Sequence, residues 1–232
     1  MADVLTCKSW NRHVLAAAFV LTLAACGGGT DTGPFSVDAN GNSGFDSAVL
    51  SNTLATLPKE SLNAVEQTSL PFMREEEKLA HDVYAVLDGI FGVNTRTFGN
   101  IANSESTHTE AVRQLLVRYS LADPAAGTAA GVFSDASLQG LYTALTARGQ
   151  NSLLEALKVG VEIEELDIHD IQRALEGIDN QDITLVYENL MKGSRNHMRS
   201  FYKVLLQQGG SYTPTHISQA DFDAIVNSGI ER

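Results

Sequence analysis

The 232-residue chain has only two cysteines, Cys7 and Cys26, both within its first 26 positions. Nothing downstream can form a disulfide, an iron–sulfur cluster, a zinc ribbon or a thiol nucleophile. Chemistry there has to come from imidazoles, carboxylates, phenols or hydroxyls. Positive charge is scarce too: 16 Lys and Arg stand against 28 Asp and Glu, a formal net charge of −12. Such a surface argues against nucleic acid as a partner and against adhesion of the folded part to anionic lipid. Strand signals are few, and there is no internal repeat and no run long enough for a membrane-spanning helix.

The N-terminus does carry an export pattern. Lys8, Arg12 and His13 precede an apolar run from Val14 to Ala25, which ends in Leu23-Ala24-Ala25-Cys26. A basic start, an apolar run too short to span a bilayer, small residues and then a cysteine look like a bacterial lipobox. The expectation is a signal peptide over 1–25, cleavage before Cys26 and lipidation of Cys26. Gly27 in place of an aspartate suits, in a Gram-negative cell, an outer-membrane lipoprotein facing the periplasm. Residues 26–44, which begin with a Gly-rich stretch, read as a flexible tether. One helical domain is expected over 45–232, with its core at about 69–208. Cleavage would leave 14 basic and 27 acidic residues, a net charge of −13.

The dominant pattern is helical spacing. A first helix is predicted from about Ser69 to Phe91, with inner face Leu70, Met73, Glu77, Ala80, Tyr84, Leu87 and Phe91. A second, over about 97–119, has the face Phe98, Ile101, Glu105, His108, Val112, Leu115 and Tyr119. A loop over 122–134 leads to a short helix at about 137–148. A third long helix, 152–175, starts on a Ser152/Glu155 capping box and presents Leu154, Leu157, Val161, Glu162, Glu165 and Ile168. The fourth, 182–208, presents Val186, Leu190, Ser194, His197, Phe201 and Val204. A last short helix is predicted near 219–226. The fold class is therefore all-α: a four-helix bundle with a long second-to-third crossover of the ferritin-like kind.

The anomaly is the polar residues on these apolar stripes. Glu77, Glu105, His108, Glu162, Glu165 and His197 fall near the middle of their helices. A buried carboxylate costs several kcal/mol unless paired or metal-bound. A single inward Glu is commonly a satisfied core residue; six ligand-type residues over four helices are harder to dismiss. Glu105 and His108, three apart, point to one side of one turn. Hard oxygen donors with a few imidazoles suit iron or manganese.

Here the sequence resembles the ferritin-like superfamily and rubrerythrin. Glu77 through Tyr84 is similar to its first-helix Glu-x-x-Ala-Arg-x-x-Tyr, Glu105-Ser106-Thr107-His108 to its second-helix motif, and Glu162 to Glu165 to its third-helix Glu-x-x-Glu. Closer still is an uncharacterised bacterial ferritin-like family, domain of unknown function 2202, through Met73 to Ala80 and Asn189-Leu190 to Gly193-Ser194-Arg195-Asn196-His197 and Phe201. The resemblance covers about Leu70 to Ser218. It implies an iron cofactor of two ions, with manganese or a single ion left open, held by those six residues. Tyr84, His169 and Ser194 would be their hydrogen-bond partners. His81 is a weaker ligand candidate, and Glu75, Glu76, Glu164 and Asp167 read as solvated helix faces. Two departures stand out. Ser194 occupies the place of the glutamate in the fourth-helix Glu-x-x-His, and no four-cysteine rubredoxin module follows.

The resulting expectation is a membrane-anchored di-iron or di-manganese domain that oxidises ferrous iron or reduces peroxide or oxygen. A non-catalytic metal-binding envelope lipoprotein and a purely structural Glu/His network stay open beside it. The expected partners are the membrane through Cys26, an external electron donor for any turnover, a second copy in a homodimer as an open alternative, and no nucleic acid.

Overall fold

The computed structural model describes residues 33–232. The expected signal peptide over 1–25, the expected lipidation site Cys26 and the rest of the expected tether up to residue 32 lie outside the described residues. The remainder of that tether is corrected. Phe35–Val37 (β1) and Ser43–Phe45 (β2) form an antiparallel hairpin, pairing Phe35 with Phe45 and Val37 with Ser43. Asp38 folds its turn, since one carboxylate oxygen accepts the backbone N–H of Asn40 and of Asn42. Gly41, at φ +86°, takes the left-handed position such a turn needs.

Apart from this hairpin the described chain is helical: α1 (Ser47–Thr56), α2 (Ala64–Phe91), α3 (Thr97–Tyr119), α4 (Ala136–Gly149), α5 (Leu153–Leu175), α6 (Gln181–Gln207) and α7 (Gln219–Val226). α1 carries no expectation from the sequence; Asp46 starts it by accepting the N–H of Ala48 and Val49. α2 begins five residues before its expected start, on a reciprocal capping box between Asn63 and Glu66. Only half of the expected box forms on α5. Ser152 accepts the Glu155 N–H, but the Glu155 carboxylate pairs with Lys158. Among the described residues no helix is long and apolar enough to cross a membrane.

α2 packs on α3 and α5, and α6 on α5 and α3, while α4 lies against α2 and α5. Their buried side chains form two apolar cores. One gathers Leu79 to Leu87 of α2, Phe98 and Ile101 of α3, most of the buried side of α5, and Met198 to Leu205 of α6. The other gathers Leu70 and Met73, Ala111 to Leu116, Ile171, and Ile183 to Leu190, with the hairpin phenylalanines and α1. A layer of buried acids and histidines lies along the helices where one core gives way to the other.

Candidate metal centre

In that layer α2 supplies Glu76 and Glu77, α3 Glu105 and His108, α5 Glu164 and Asp167, and α6 His197, all at most 3% exposed. The centre is Glu105. Its Oε2 lies 2.8 Å from His108 Nδ1 and its Oε1 lies 2.8 Å from His197 Nδ1. Glu77 Oε2 is 3.4 Å from the first ring nitrogen, and Glu164 Oε2 is 3.6 Å from the second. Two half-sites result, each one imidazole and one carboxylate, sharing the two oxygens of Glu105. The rings stack with centroids 5.4 Å apart and 19° between planes. One ligand atom from each of Glu105, His108 and His197 lies within 4.8 Å of the other two, a grouping that could hold a metal ion.

Proximity here is not hydrogen bonding. Both oxygens of Glu77, Glu105 Oε1, Glu164 Oε2, both oxygens of Asp167, Glu76 Oε2 and both Nδ1 atoms are buried without a hydrogen-bond partner. Native interiors leave few such groups, because each costs about 1–3 kcal/mol. Nine of them fall in one layer; within it Glu105, His108 and His197 could hold a metal ion, and carboxylate plus imidazole is a donor type that suits iron or manganese.

Burial disfavours charge throughout. It raises Glu76 well above the usual carboxylate range, with Asp170 and Glu77 adding repulsion, and it raises Asp167 likewise, with Glu76 and Glu77 adding the most repulsion. Glu77 and Glu164 are also raised by burial, with the adjacent imidazoles opposing. Glu105 is the exception: burial pushes it up, but His108 and His197 hold it well below the usual range. Those rings, although burial works against their charge, are raised to about 10 and about 9 chiefly by Glu105. Five carboxylates against two imidazoliums would leave three negative charges uncompensated, so without a cation the layer holds protons on its raised acids. Tyr84, raised by burial and then by Glu164, keeps its proton and donates it to Glu164 Oε1 at 2.7 Å.

The structure brings Glu77, Glu105, His108 and His197 of the expected set together, and not Glu162 or Glu165. Glu162 pairs with Arg148 of α4 on the outside of α5. Glu165 is buried but faces the C-terminal segment. Its carboxylate accepts the Tyr212 hydroxyl and the N–H groups of Thr215, His216 and Ile217. The inward row of α5 is Leu157, Gly160, Glu164 and Asp167, rotated from the expected stripe. Gly160 lets it turn inward, since a Cβ there would lie 2.7 Å from the Phe201 ring. Glu164, Asp167 and Glu76 are thus buried rather than solvated. Glu75 is buried as well, capping the N–H groups of Ser134 and Asp135.

The expected outer partners divide. Tyr84 touches the layer through Glu164. His169 instead pairs with Asp170 at 2.9 Å, half-exposed. Ser194 donates within its own helix to the Leu190 carbonyl. His81 pairs with Asp82 near the surface. One contact carries no sequence signal at all: Ser43 Oγ of β2 lies 3.0 Å from Nε2 of both His108 and His197.

Comparison with known proteins agrees with this arrangement of helices. The chain matches the family described as "Uncharacterized protein domain (DUF2202)" over residues 66–229. It is 46% identical over 179 residues to "Uncharacterized protein MJ0754" of Methanocaldococcus jannaschii, covering 77% of this chain and 96% of that one. The crystal structure of hypothetical protein MJ0754 from Methanococcus jannaschii superposes with a TM-score of 0.73 at 46% identity, covering 76% of this chain and 99% of the other. Matches over this much of both chains leave one conclusion: the chain belongs to the DUF2202 family of uncharacterized protein domains.

Proposed function

We propose that this chain is a ferritin-like, membrane-anchored metal-binding domain whose buried layer holds two ions, iron first and manganese second. The observation that carries the reading is the pair of half-sites: Glu77 with His108 and Glu164 with His197, joined by the two oxygens of Glu105. The resemblance to rubrerythrin and the long α3-to-α5 crossover support a ferritin-like four-helix bundle of α2, α3, α5 and α6. Asp167 supports the second ion. Both its oxygens are unpartnered among Glu76, Glu77, Glu164 and Glu105, so it offers the carboxylate that Ser194 does not.

Two ferrous ions in such a site would supply the electrons for reducing peroxide or oxygen. The protein's own part in this reading follows from the same geometry. Glu105 holds the two halves in register, the imidazoles present Nδ1, Tyr84 fixes one Glu164 oxygen, and the apolar cores on either side keep water out. The absence of any cysteine after position 26 favours a second reading, metal binding without turnover, because no electron relay is built in. For either reading Cys26 would be the lipid anchor at the cell envelope, with an external electron donor needed for the first.

Anaerobic equilibrium binding tests the centre. About two Fe(II) or Mn(II) ions per chain are expected, with loss of binding in Glu105→Ala. A well-folded parent that takes up neither metal overturns the proposal. Peroxide or oxygen consumption by the iron-loaded protein then separates the two readings. Mass spectrometry of membrane-extracted protein should find an acylated Cys26 at the N-terminus, and an intact Met1 would sink the anchor.

A further inference from the structure

The β1–β2 hairpin lies before residues 66–229, the span matched by the family. It nonetheless reaches the polar layer. β2 lies on α3 and α6, with the Phe45 N–H donating to Thr107 Oγ1 at 3.1 Å. Phe35 and Phe45 pack on each other with centroids 5.1 Å apart, and their rings lie 6.4 and 6.0 Å from that of His108. Two residues before Phe45 on β2, Ser43, only 5% exposed, extends its hydroxyl to both histidines. Space for it comes from Gly193 of α6, one turn before His197. A Cβ at Gly193 would sit 2.7 Å from Ser43 Oγ and 2.6 Å from His108 Cε1.

A hydroxyl oxygen has two acceptor lone pairs and one proton. With both Nε2 atoms 3.0 Å away, one oxygen can accept N–H from each ring, but it can donate to only one of them. Accepting both fixes a proton at Nε2 of each ring, so that Nδ1, turned to Glu105, is the nitrogen that gives up its proton when a metal binds. Outer partners of this kind set which nitrogen of a ligating histidine is free for metal.

We propose that Ser43 is a positioning residue: by accepting Nε2–H from His108 and His197 together, it orients both Nδ1 atoms toward the shared carboxylate. The hairpin is then a working part of the centre, and Phe35 and Phe45 seal it from water. The effect on metal rests on the two-ion reading above; the protonation of the rings does not.

The experiment uses the chain from residue 26 onward with 15N-labelled histidine, as parent, Ser43→Ala, Ser43→Thr and Ser36→Ala, the last on the exposed side of the hairpin. In the metal-free parent near neutral pH, both rings are expected to carry slowly exchanging Nε2–H protons. Ser43→Ala should speed that exchange at both rings together and weaken Fe(II) binding about 10- to 100-fold. Ser43→Thr, which keeps the hydroxyl, should restore both, and Ser36→Ala should match the parent. An unprotonated Nε2 on either ring of the parent overturns the proposal, as does a folded Ser43→Ala with parental exchange. If the parent binds no Fe(II) while the exchange results hold, the two-ion reading fails and the positioning role stands. If the parent binds Fe(II) and Ser43→Ala binds it equally well, the positioning role fails alone.

Discussion

Glu164 and Glu165 are neighbours on α5, both fully buried, and chemically opposite. Glu165 receives four hydrogen bonds and ties the C-terminal segment to the helix. Glu164 receives the Tyr84 hydroxyl on Oε1 while Oε2 has no hydrogen bond. Glu66 repeats the first pattern where α2 starts. It accepts from the Asn63, Asp179 and Asn180 backbones and the Asn180 side chain. Asp167 repeats the second pattern in the central layer. Burial therefore does not mark the candidate centre; unsatisfied burial does. A carboxylate surrounded by donors lowers the energy of the metal-free fold, whereas one left without them raises it until a proton or a cation arrives.

The sharpest way to break this contrast is to remove each acid in turn. Glu165→Ala strips the partners from one hydroxyl and three backbone N–H groups. It should cost about 3–5 kcal/mol in urea or thermal unfolding, with metal stoichiometry unchanged in protein that stays folded. An equal loss from Glu164→Ala in the metal-free protein would erase the distinction.

A pH series reads the whole layer. Glu77 and Glu164 are raised by burial to about 8 and about 7, so the folded state holds protons that the unfolded chain releases near 4.5. Metal-free stability should fall as pH rises through that window. His108 and His197, raised to about 10 and about 9, add stability that is full below 6.5 and is lost as pH climbs through those values. Glu105, held low, acts only in acid, where its contribution is lost as pH falls. Melting temperature should thus decline from about pH 5 to pH 10 without metal. Stabilisation by added Mn(II) should grow over the same range, because the metal displaces those protons. A flat metal-free profile would contradict the assignment of protons to these buried acids.

Smaller effects sharpen the contrast. Glu164→Gln keeps an acceptor for Tyr84 but removes a buried charge. Metal-free stability at pH 8 should rise by about 1 kcal/mol, while calorimetric titration should lose one of the two ions. Glu162→Ala removes only the partly exposed pair with Arg148. It should change stability by less than about 0.5 kcal/mol and leave binding unaltered.

Much of this was legible in the chain itself. The spacing places α3 at 97–119 and α7 at 219–226, as observed, and sets Glu77, Glu105, His108 and His197 on inner faces. Those helices are apolar on one side only, so their period names that side. α5 is different. It is buried against α2, α4, α6 and the C-terminal segment, so Val161, Glu165 and Ile168 are as hidden as Gly160, Glu164 and Asp167. A stripe drawn through either row looks equally internal, and periodicity cannot choose between them.

Sequence by itself determined the long helices to within a few residues and a polar layer of Glu and His without a thiol nearby, because propensity and the 3.6-residue period act over a few residues. Tertiary structure decided which α5 row meets that layer, which buried acids are satisfied, and that a three-residue strand would bring Ser43 to two histidines 65 and 154 positions away. Those outcomes depend on what packs against each side chain, and packing partners far apart in the chain leave no periodic trace in it.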